Sequence, residues 1–481
     1  MIEHATSLRA LLANDLTHRA GGPVSHGGRN RGRFQSLRLV ALGLAALLLT
    51  ACGGAAPPSP AQPPPPTQPL PAAALLPDES EVTEGAIRFL EDRVKRDPAD
   101  FIAQNKLAGY YLQKLRETGR TTYLGLASRA AKASLAAIPA EQNLGGLAAL
   151  AQVEFTSHHF AASRDHAKQL MQREPHKAYP YLMLGDSLLE LGDYDGAAAV
   201  YRQLEERGDG GGISKTTIET RLAQLALFRG ETNAAERHYI NALTVALDEA
   251  YPQRETVAWC RWQLGEVAFS TGDYQAAEQH YRDSLTTFPD YFNALASLGR
   301  VRAAQGDLAS AIETYQRAIQ ILPDPAFVAA LGDLYRLAGR EKDAAAQYDL
   351  VEQIQRAEAA GGEHHHSRQL AMFYADHDMK AEEAYASAAH EYEVRRDIYG
   401  ADALAWTAFK AGKITEAQAA MKDALRLGTR DAKLLYHAGM IARAAGEKEA
   451  AREYLERALK LNPQFDPLQA SIAKKALEES R

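Results

Sequence analysis

A period of 34 residues is the feature of this sequence that most restricts its fold. The stretch WQLGEVAFSTGDYQAAEQHYRDSLTTFP at 262–289 aligns without a gap to ASLGRVRAAQGDLASAIETYQRAIQILP at 296–323. The positions identical in both include Gly265 and Gly299, Gly272 and Gly306, Ala277 and Ala311, Tyr281 and Tyr315, and Pro289 and Pro323. A fixed period of about 20 to 50 residues is typical of arrays in which each unit packs against its neighbours.

Weaker copies extend this pattern over most of the chain. They carry the small, turn and large positions at Gly332, Gly339, Ala344 and Tyr348; at Gly439, Gly446, Ala451, Ala458 and Pro463; at Gly185, Gly192, Ala197 and Tyr201; at Ala223, Gly230, Ala235, Tyr239 and Ala242; and at Ala405, Gly412, Ala417 and Ala424. Degenerate copies occupy 104–139, 143–175 and 365–397. The copies predict about ten helix pairs, with an extra capping helix at 81–95 and another at 467–481.

The residue types at the repeated positions predict antiparallel helices. A small residue such as Gly265 lets two helices approach closely, and a large one such as Tyr281 fills the space towards the next unit. Gly272 falls in the turn between the helices, where a positive φ costs little only for glycine. Pro289 follows the second helix, which proline cannot continue. Beyond residue 80 the chain is rich in Ala and Leu and lacks alternating β-branched runs, so we expect an all-α body.

These positions resemble the tetratricopeptide repeat. The resemblance implies an α-solenoid, and a protein or peptide partner bound in the concave groove of its superhelix. In that family the second, fifth, ninth and twelfth positions of the first helix of each pair face the groove. The positions that match here are Trp259, Trp262, Glu266 and Phe269; Asn293, Ala296, Arg300 and Ala303; Ala326, Ala329, Asp333 and Arg336; and Lys433, Tyr436, Met440 and Arg443.

Trp259 and Trp262 are the groove positions of greatest interest, because tryptophan is a frequent hot-spot residue at interfaces. The alternative is that either side chain packs against the preceding repeat. The lysine and asparagine set that binds chaperone tails in one branch of the family is absent, so the resemblance disfavours that ligand.

The N-terminal stretch RLVALGLAALLLTACGG has the layout of a secretory signal rather than of a membrane-spanning helix. Its apolar run is about a dozen residues long, whereas a spanning helix needs about 20. Leu49, Thr50, Ala51 and Cys52 resemble the lipobox of bacterial lipoproteins, which implies cleavage before Cys52 and a lipid on that cysteine. An ordinary secretory signal is the alternative. The resemblance predicts an envelope protein held on a membrane by this lipid.

The predicted organisation has five parts. They are a signal peptide with a long n-region at 1–51, a lipidated cysteine with a flexible Pro-rich linker at 52–80, an N-terminal array at 81–352, a Gly/His-rich insertion at 353–368, and a C-terminal array with a capping helix at 369–481. Because Gly53 is not an inner-membrane retention aspartate, we expect the outer membrane, facing the periplasm, in a two-membrane bacterium. In a one-membrane bacterium we expect the outer face of the plasma membrane.

Composition and motifs argue against other functions. A net charge of −7 gives no indication of a nucleic-acid surface. No phosphate-binding loop, nucleophile elbow or HExxH motif occurs, so we expect neither catalysis nor a cofactor. Cys260 is expected to be a packed small residue rather than a reactive thiol. A metal site is not favoured, but its low-ranking candidates are His364, His365, His366, Asp376, His377 and Asp378.

Together these features predict a non-enzymatic, membrane-anchored scaffold for protein–protein interaction at the cell envelope. Two alternatives stay open. One is an accessory protein that handles nickel, zinc or copper through the His-rich insertion. The other is an assembly factor for secretion or outer-membrane machinery, which rests on analogy with similar lipoproteins.

Overall fold

The computed structural model describes residues 71–76, 78–207, 213–360 and 367–479. Over these residues the chain forms 22 α-helices and no strand. They are α1 (Ser80–Arg96), α2 (Phe101–Thr118), α3 (Thr122–Ala137), α4 (Leu144–Thr156), α5 (Phe160–Arg173), α6 (Tyr179–Glu190), α7 (Tyr194–Arg207), α8 (Lys215–Phe228), α9 (Thr232–Asp248), α10 (Arg254–Ser270), α11 (Tyr274–Thr287), α12 (Phe292–Ala304), α13 (Leu308–Ile321), α14 (Pro325–Leu337), α15 (Glu341–Ala360), α16 (Ser367–Asp376), α17 (Ala381–Val394), α18 (Ile398–Lys410), α19 (Ile414–Ala424), α20 (Ala432–Ala444), α21 (Lys448–Leu461) and α22 (Gln469–Glu478).

The helices form ten antiparallel pairs between two single helices, so the predicted all-α solenoid is confirmed. We number the pairs as repeats 1 to 10, from α2–α3 to α20–α21, and call the two helices of each pair A and B. Helix α1 packs on repeat 1, with Ile87 and Leu90 buried. At the other end α22 buries Ala470, Ala473 and Ala476.

Glycine serves two purposes within a repeat. In the turn between helices A and B, Gly272 has φ +79°. Repeats 2 and 8, which lack a turn glycine, place His158 (φ 62°) and Asp378 (φ 55°) in the same left-handed conformation. Within helix A, a Cβ added at Gly265 would lie 2.3 Å from Cε1 of Tyr281 in helix B. The tyrosine ring therefore lies directly on the glycine, which explains why these two positions recur together.

A second set of contacts joins each of several repeats to the repeat five places further along. The A–B turns of repeats 1, 3, 4 and 5 meet the segments that follow helix B in repeats 6, 8, 9 and 10. The segment after repeat 8 includes Ile398, the first residue of α18. The backbone N–H of Ile398 donates to the Tyr194 hydroxyl at 2.9 Å, and Asn462 Nδ2 donates to the Phe269 carbonyl at 2.7 Å. We call these contacts the seam. Because these contacts recur at an offset of five repeats, one turn of the superhelix takes about five repeats.

The repeat pattern of the sequence is interrupted at 208–212 and at 353–368. Helix α15 has 20 residues, against 14 in α13, so the first part of the predicted insertion at 353–368 is a helical extension. The glycines at 208–212 and the histidines at 364–366 lie outside the described residues, as do the signal peptide, Cys52 and most of the predicted linker. Among the described helices, none is long and apolar enough to cross a membrane.

Candidate functional site

The concave side of repeats 1 to 5 encloses a chamber of about 890 Å³, which we call the N-terminal chamber. Its wall is built by helix A of successive repeats, because these helices form the inner layer of the coil. Apolar and aromatic side chains make much of the surface, among them Leu112, Tyr179, Leu182, Met183 and Trp259.

The four charged residues that line the N-terminal chamber in the described structure form two opposite-charge pairs. Arg221 donates from Nη2 to Asp186 at 3.0 Å. Nε of Arg116, from repeat 1, lies 3.9 Å from a carboxylate oxygen of Glu255, from repeat 5. Burial raises the pKa of Glu255, and Arg116 counteracts this only in part. The chamber is therefore close to charge-balanced.

The concave side of repeats 6 to 10 encloses a smaller chamber of about 500 Å³, the C-terminal chamber. Its wall has a more acidic character. Lys433 lies 2.8 Å from Asp376 and 3.6 Å from Asp466. Burial raises the pKa of Asp466 despite this lysine. The acidic and basic residues along this wall are Arg300, Asp333, Arg368, Asp376, His377, Asp402, Asp431, Lys433 and Asp466.

A three-residue contact recurs in three of the repeats on this inner layer. The acidic residue that follows the helix A glycine accepts a hydrogen bond from the helix B tyrosine of its own repeat and pairs with a basic residue of the next repeat. The sets are Asp186, Tyr201 and Arg221; Glu266, Tyr281 and Arg300; and Asp333, Tyr348 and His377. Each set therefore fixes the rotation between consecutive repeats.

Charge pairing decides the ionisation of these groups. Burial tends to raise the pKa of Glu266, but the Arg300 guanidinium 2.6 Å away and hydrogen bonds from Ser297 and Tyr281 hold it below its usual value. Burial tends to lower the pKa of His377, but Asp333 at 2.8 Å raises it. In Glu266 and in His377 the neighbouring opposite charge thus favours the ionised form.

The predicted groove residues are divided between several environments. Trp259 lines the N-terminal chamber and meets Tyr239 of the preceding repeat edge-on, at 5.9 Å between ring centroids. Arg300 and Asp333 line the C-terminal chamber. Ala303, Ala326, Ala329 and Lys433 also line the C-terminal chamber. The predicted groove residues that line neither chamber in the described structure are Trp262, Glu266, Phe269, Asn293, Ala296, Arg336, Tyr436, Met440 and Arg443.

Their contacts explain this division. Trp262 donates from Nε1 to Ser297 Oγ at 2.9 Å. Arg300 stacks over the Phe269 ring at 4.1 Å while it pairs with Glu266, so those residues join repeat 5 to repeat 6. This inter-repeat contact lies between the helix A residues that line the two chambers.

Sequence reasoning missed most of the N-terminal chamber, because it assigned groove positions only to the best-conforming repeats. The signal was available in repeat 3. Counting from Gly185 as from Gly265, the second, fifth and ninth positions of helix A are Tyr179, Leu182 and Asp186, and all three line the chamber.

The candidate metal ligands that are described have other partners. His377 contacts Asp333 and the Phe373 carbonyl, while Asp378 pairs with Lys410 at 2.6 Å. Asp376 accepts from Trp406 Nε1 at 2.8 Å and from Lys433. No group of three or more His, Cys, Asp or Glu within the described ranges is arranged to hold a metal ion. His364, His365 and His366 lie outside them.

Cys260 is fully buried between α9 and α10, in agreement with its prediction as a packed residue. Burial raises the pKa of its thiol to about 12. At neutral pH the thiol is therefore protonated, which is the unreactive form.

Comparisons with known proteins test the resemblance to the tetratricopeptide repeat. Two family models, both described as Tetratricopeptide repeat, match the chain: one at residues 215–290, the other at 148–212, 263–326 and 403–464. A search of curated proteins finds no match. Similar solved structures include BtubC (BKLC) from P. vanneervenii, which is 22% identical, with 43% of this chain and 92% of BtubC covered and a TM-score of 0.36. A structure of MamA is 21% identical, with 37% of this chain and 97% of MamA covered and a TM-score of 0.30. On the two family matches, the chain carries an array of tetratricopeptide repeats.

Proposed function

We propose that this protein is a non-catalytic scaffold that binds a segment of a protein partner in its N-terminal chamber while a lipid on Cys52 holds it on a membrane of the cell envelope. Tetratricopeptide repeats indicate a protein–protein interaction scaffold, and proteins built from them are generally non-catalytic. The membrane, the envelope and the chamber as binding site are the parts that we add.

The shape and chemistry of the N-terminal chamber carry this proposal. Its volume falls in the range of about 300–1,000 Å³ that is usual for binding pockets, with a mainly apolar wall and a few polar groups. Trp259, Leu182 and Met183 offer surface for a large apolar side chain. Because Asp186 and Arg221 are already paired, a partner gains more from apolar contact than from charge.

The seam restricts the form of the partner. A concave surface that coils back on itself after five repeats leaves a cavity of about 890 Å³, which is too small for a broad, flat protein surface. We therefore expect a narrow element, either an extended segment or a single helix that presents one or two large apolar residues.

The membrane part of the proposal is supported by the sequence alone, through Leu49, Thr50, Ala51 and Cys52. More than one acyl chain is needed for stable anchoring, and lipoprotein modification supplies this. The assembly-factor hypothesis is a special case of the same scaffold, with a partner from secretion or outer-membrane machinery. No contact among the described residues favours the metal-handling hypothesis.

The chamber can be tested with peptides selected from a random display library on the purified mature chain. Isothermal titration then compares the wild type with Trp259→Ala. Removal of a hot-spot tryptophan weakens binding by about 2 kcal/mol or more, so we expect Kd to rise about thirtyfold.

Tyr251→Ala is the matched control, because Tyr251 is 84% exposed and does not line the chamber. We expect Kd to be unchanged in this variant. If every selected peptide bound the Trp259→Ala protein as tightly as the wild type, the chamber would not be the binding site.

A further inference from the structure

Arg261 occupies a position that is apolar in the equivalent place of repeats 6, 7 and 10. Counting four residues back from the helix A glycine, repeats 6, 7 and 10 have Leu295, Val328 and Leu435, all buried. Arg261 is only 2% exposed. Burial lowers the pKa of its guanidinium, an effect that Asp283 at 3.6 Å offsets in part. A buried guanidinium at such a position needs hydrogen-bond acceptors.

Two of those acceptors come from the N-terminal end of the described chain. Arg261 Nη2 donates to the carbonyls of Pro71 and Ala72, each at 3.3 Å. Residues 71–76 and 78, which we call the strap, have no helical structure and precede α1. One nitrogen suffices for this task, because Nη2 carries two N–H groups that can reach two neighbouring oxygens.

Two further contacts hold the strap against repeats 4 and 5. Leu76 packs on the apolar cluster between α9 and α10, which includes Leu243 and Val257. Asp78 pairs with Arg254 at 2.9 Å, and the Arg254 guanidinium in turn lies over the Phe288 ring at 4.1 Å. Three different kinds of contact thus occur along eight residues of chain.

We propose that Arg261 is the receptor site for the strap, and that it fixes the point at which the N-terminal segment leaves the solenoid. That point lies at repeat 5, half-way along the array, and not at the start of α1. The ligand class of the site is an extended backbone with two consecutive free carbonyls, supplied here by the chain itself. This assignment is independent of the partner proposed for the chamber.

The site has a consequence for the reach of the N-terminal segment. The 28 residues from Cys52 to Ser80 could span at most about 95 Å when fully extended. With the strap held at Pro71, only 19 residues remain, and the limit falls to about 65 Å. If Cys52 carries a lipid, Arg261 keeps the body nearer to the membrane and directs repeat 5 towards it.

A nitroxide spin label on Ala74→Cys tests the site, because the Ala74 side chain is exposed within the strap. With Cys52→Ala, the chain keeps only the new cysteine and Cys260, and the buried Cys260 does not react with the label. Electron paramagnetic resonance then reports how freely the label turns. We expect a restricted label when Arg261 is present, and a rotational correlation time at least threefold shorter in Arg261→Met.

Two more variants keep the result interpretable. Leu76→Ser should release the strap as Arg261→Met does, and it leaves the buried arginine in place if Arg261→Met fails to fold. Arg237→Met, which replaces an exposed arginine of α9, should leave the label restricted. Equal label mobility in the unmutated background and in both releasing variants, with unchanged circular dichroism, would overturn the proposal.

Discussion

Asn462 offers the sharpest test of the seam. Its side chain is 1% exposed and lies between repeats 5 and 10. Nδ2 donates to the Phe269 carbonyl at 2.7 Å, and Oδ1 accepts from the Tyr274 hydroxyl at 2.6 Å and from the N–H of Gln464 at 3.0 Å. Asn462→Ala removes all three hydrogen bonds and leaves the Phe269 carbonyl without this donor.

The expected loss follows from these contacts. Each intramolecular hydrogen bond contributes about 1 kcal/mol net. The Phe269 carbonyl keeps its bond from the Gly272 N–H at 3.0 Å, so no buried acceptor is left unpaired. We therefore expect Asn462→Ala to lower the free energy of unfolding by about 3 kcal/mol. The cooperativity should also change. A solenoid held only by neighbour contacts unfolds piecewise, whereas the seam couples repeats that are five places apart.

Urea unfolding followed by circular dichroism measures both effects. In Asn462→Ala we expect a lower midpoint and either a smaller m-value or two resolved transitions. Asn233→Ala, an exposed asparagine of α9, is the control and should stay within about 0.5 kcal/mol of the wild type. Should Asn462→Ala match that control in both midpoint and m-value, the seam would not hold the coil together in solution.

Three further predictions concern single side chains. Gly265→Ala should destabilise the protein by about 2 kcal/mol in calorimetry, since its Cβ would lie 2.3 Å from the Tyr281 ring; an unchanged melting temperature would contradict this. Because the pKa of Glu266 is lowered on folding, its ionisation stabilises the protein at pH 7 and this contribution is lost as the pH falls below about 4. The stability difference from Glu266→Gln, measured by urea unfolding, should therefore shrink at pH 3, and a pH-independent difference would refute the assignment. Cys52→Ala should leave uncleaved precursor without radiolabelled palmitate, and normal cleavage with acylation would disprove the lipobox.

Sequence could predict the helix pairs because the contacts that define them are local. Gly265 and Tyr281 lie 16 residues apart in one repeat, and their spacing recurs wherever the same contact is made. The caps α1 and α22 followed from the apolar pattern at the two ends. The seam was not predictable, because it depends on small rotations that accumulate over five repeats. Asn462 and Tyr194 therefore have no marker of that role in the sequence.

The same accumulated rotation explains why the site was only partly predicted. Groove positions can be assigned within a repeat, and of the predicted residues Trp259 lines one chamber while Arg300 and Asp333 line the other. Whether successive positions share one cavity depends on how repeats turn against each other. Between repeats 5 and 6 that turn brings Arg300 onto Glu266, which divides the surface into two chambers.

The paired charges of the inner layer bear on how this scaffold selects a partner. Asp186 is engaged by both Tyr201 and Arg221, and Glu266 by both Tyr281 and Arg300. A ligand that sought either carboxylate would first have to break its contact with the next repeat, which would loosen the coil that forms the chamber. A ligand that binds through these carboxylates would therefore weaken the inter-repeat contacts that form its own binding site. Selection by the shape of one apolar side chain against Trp259 avoids this effect, because it leaves every inter-repeat contact in place.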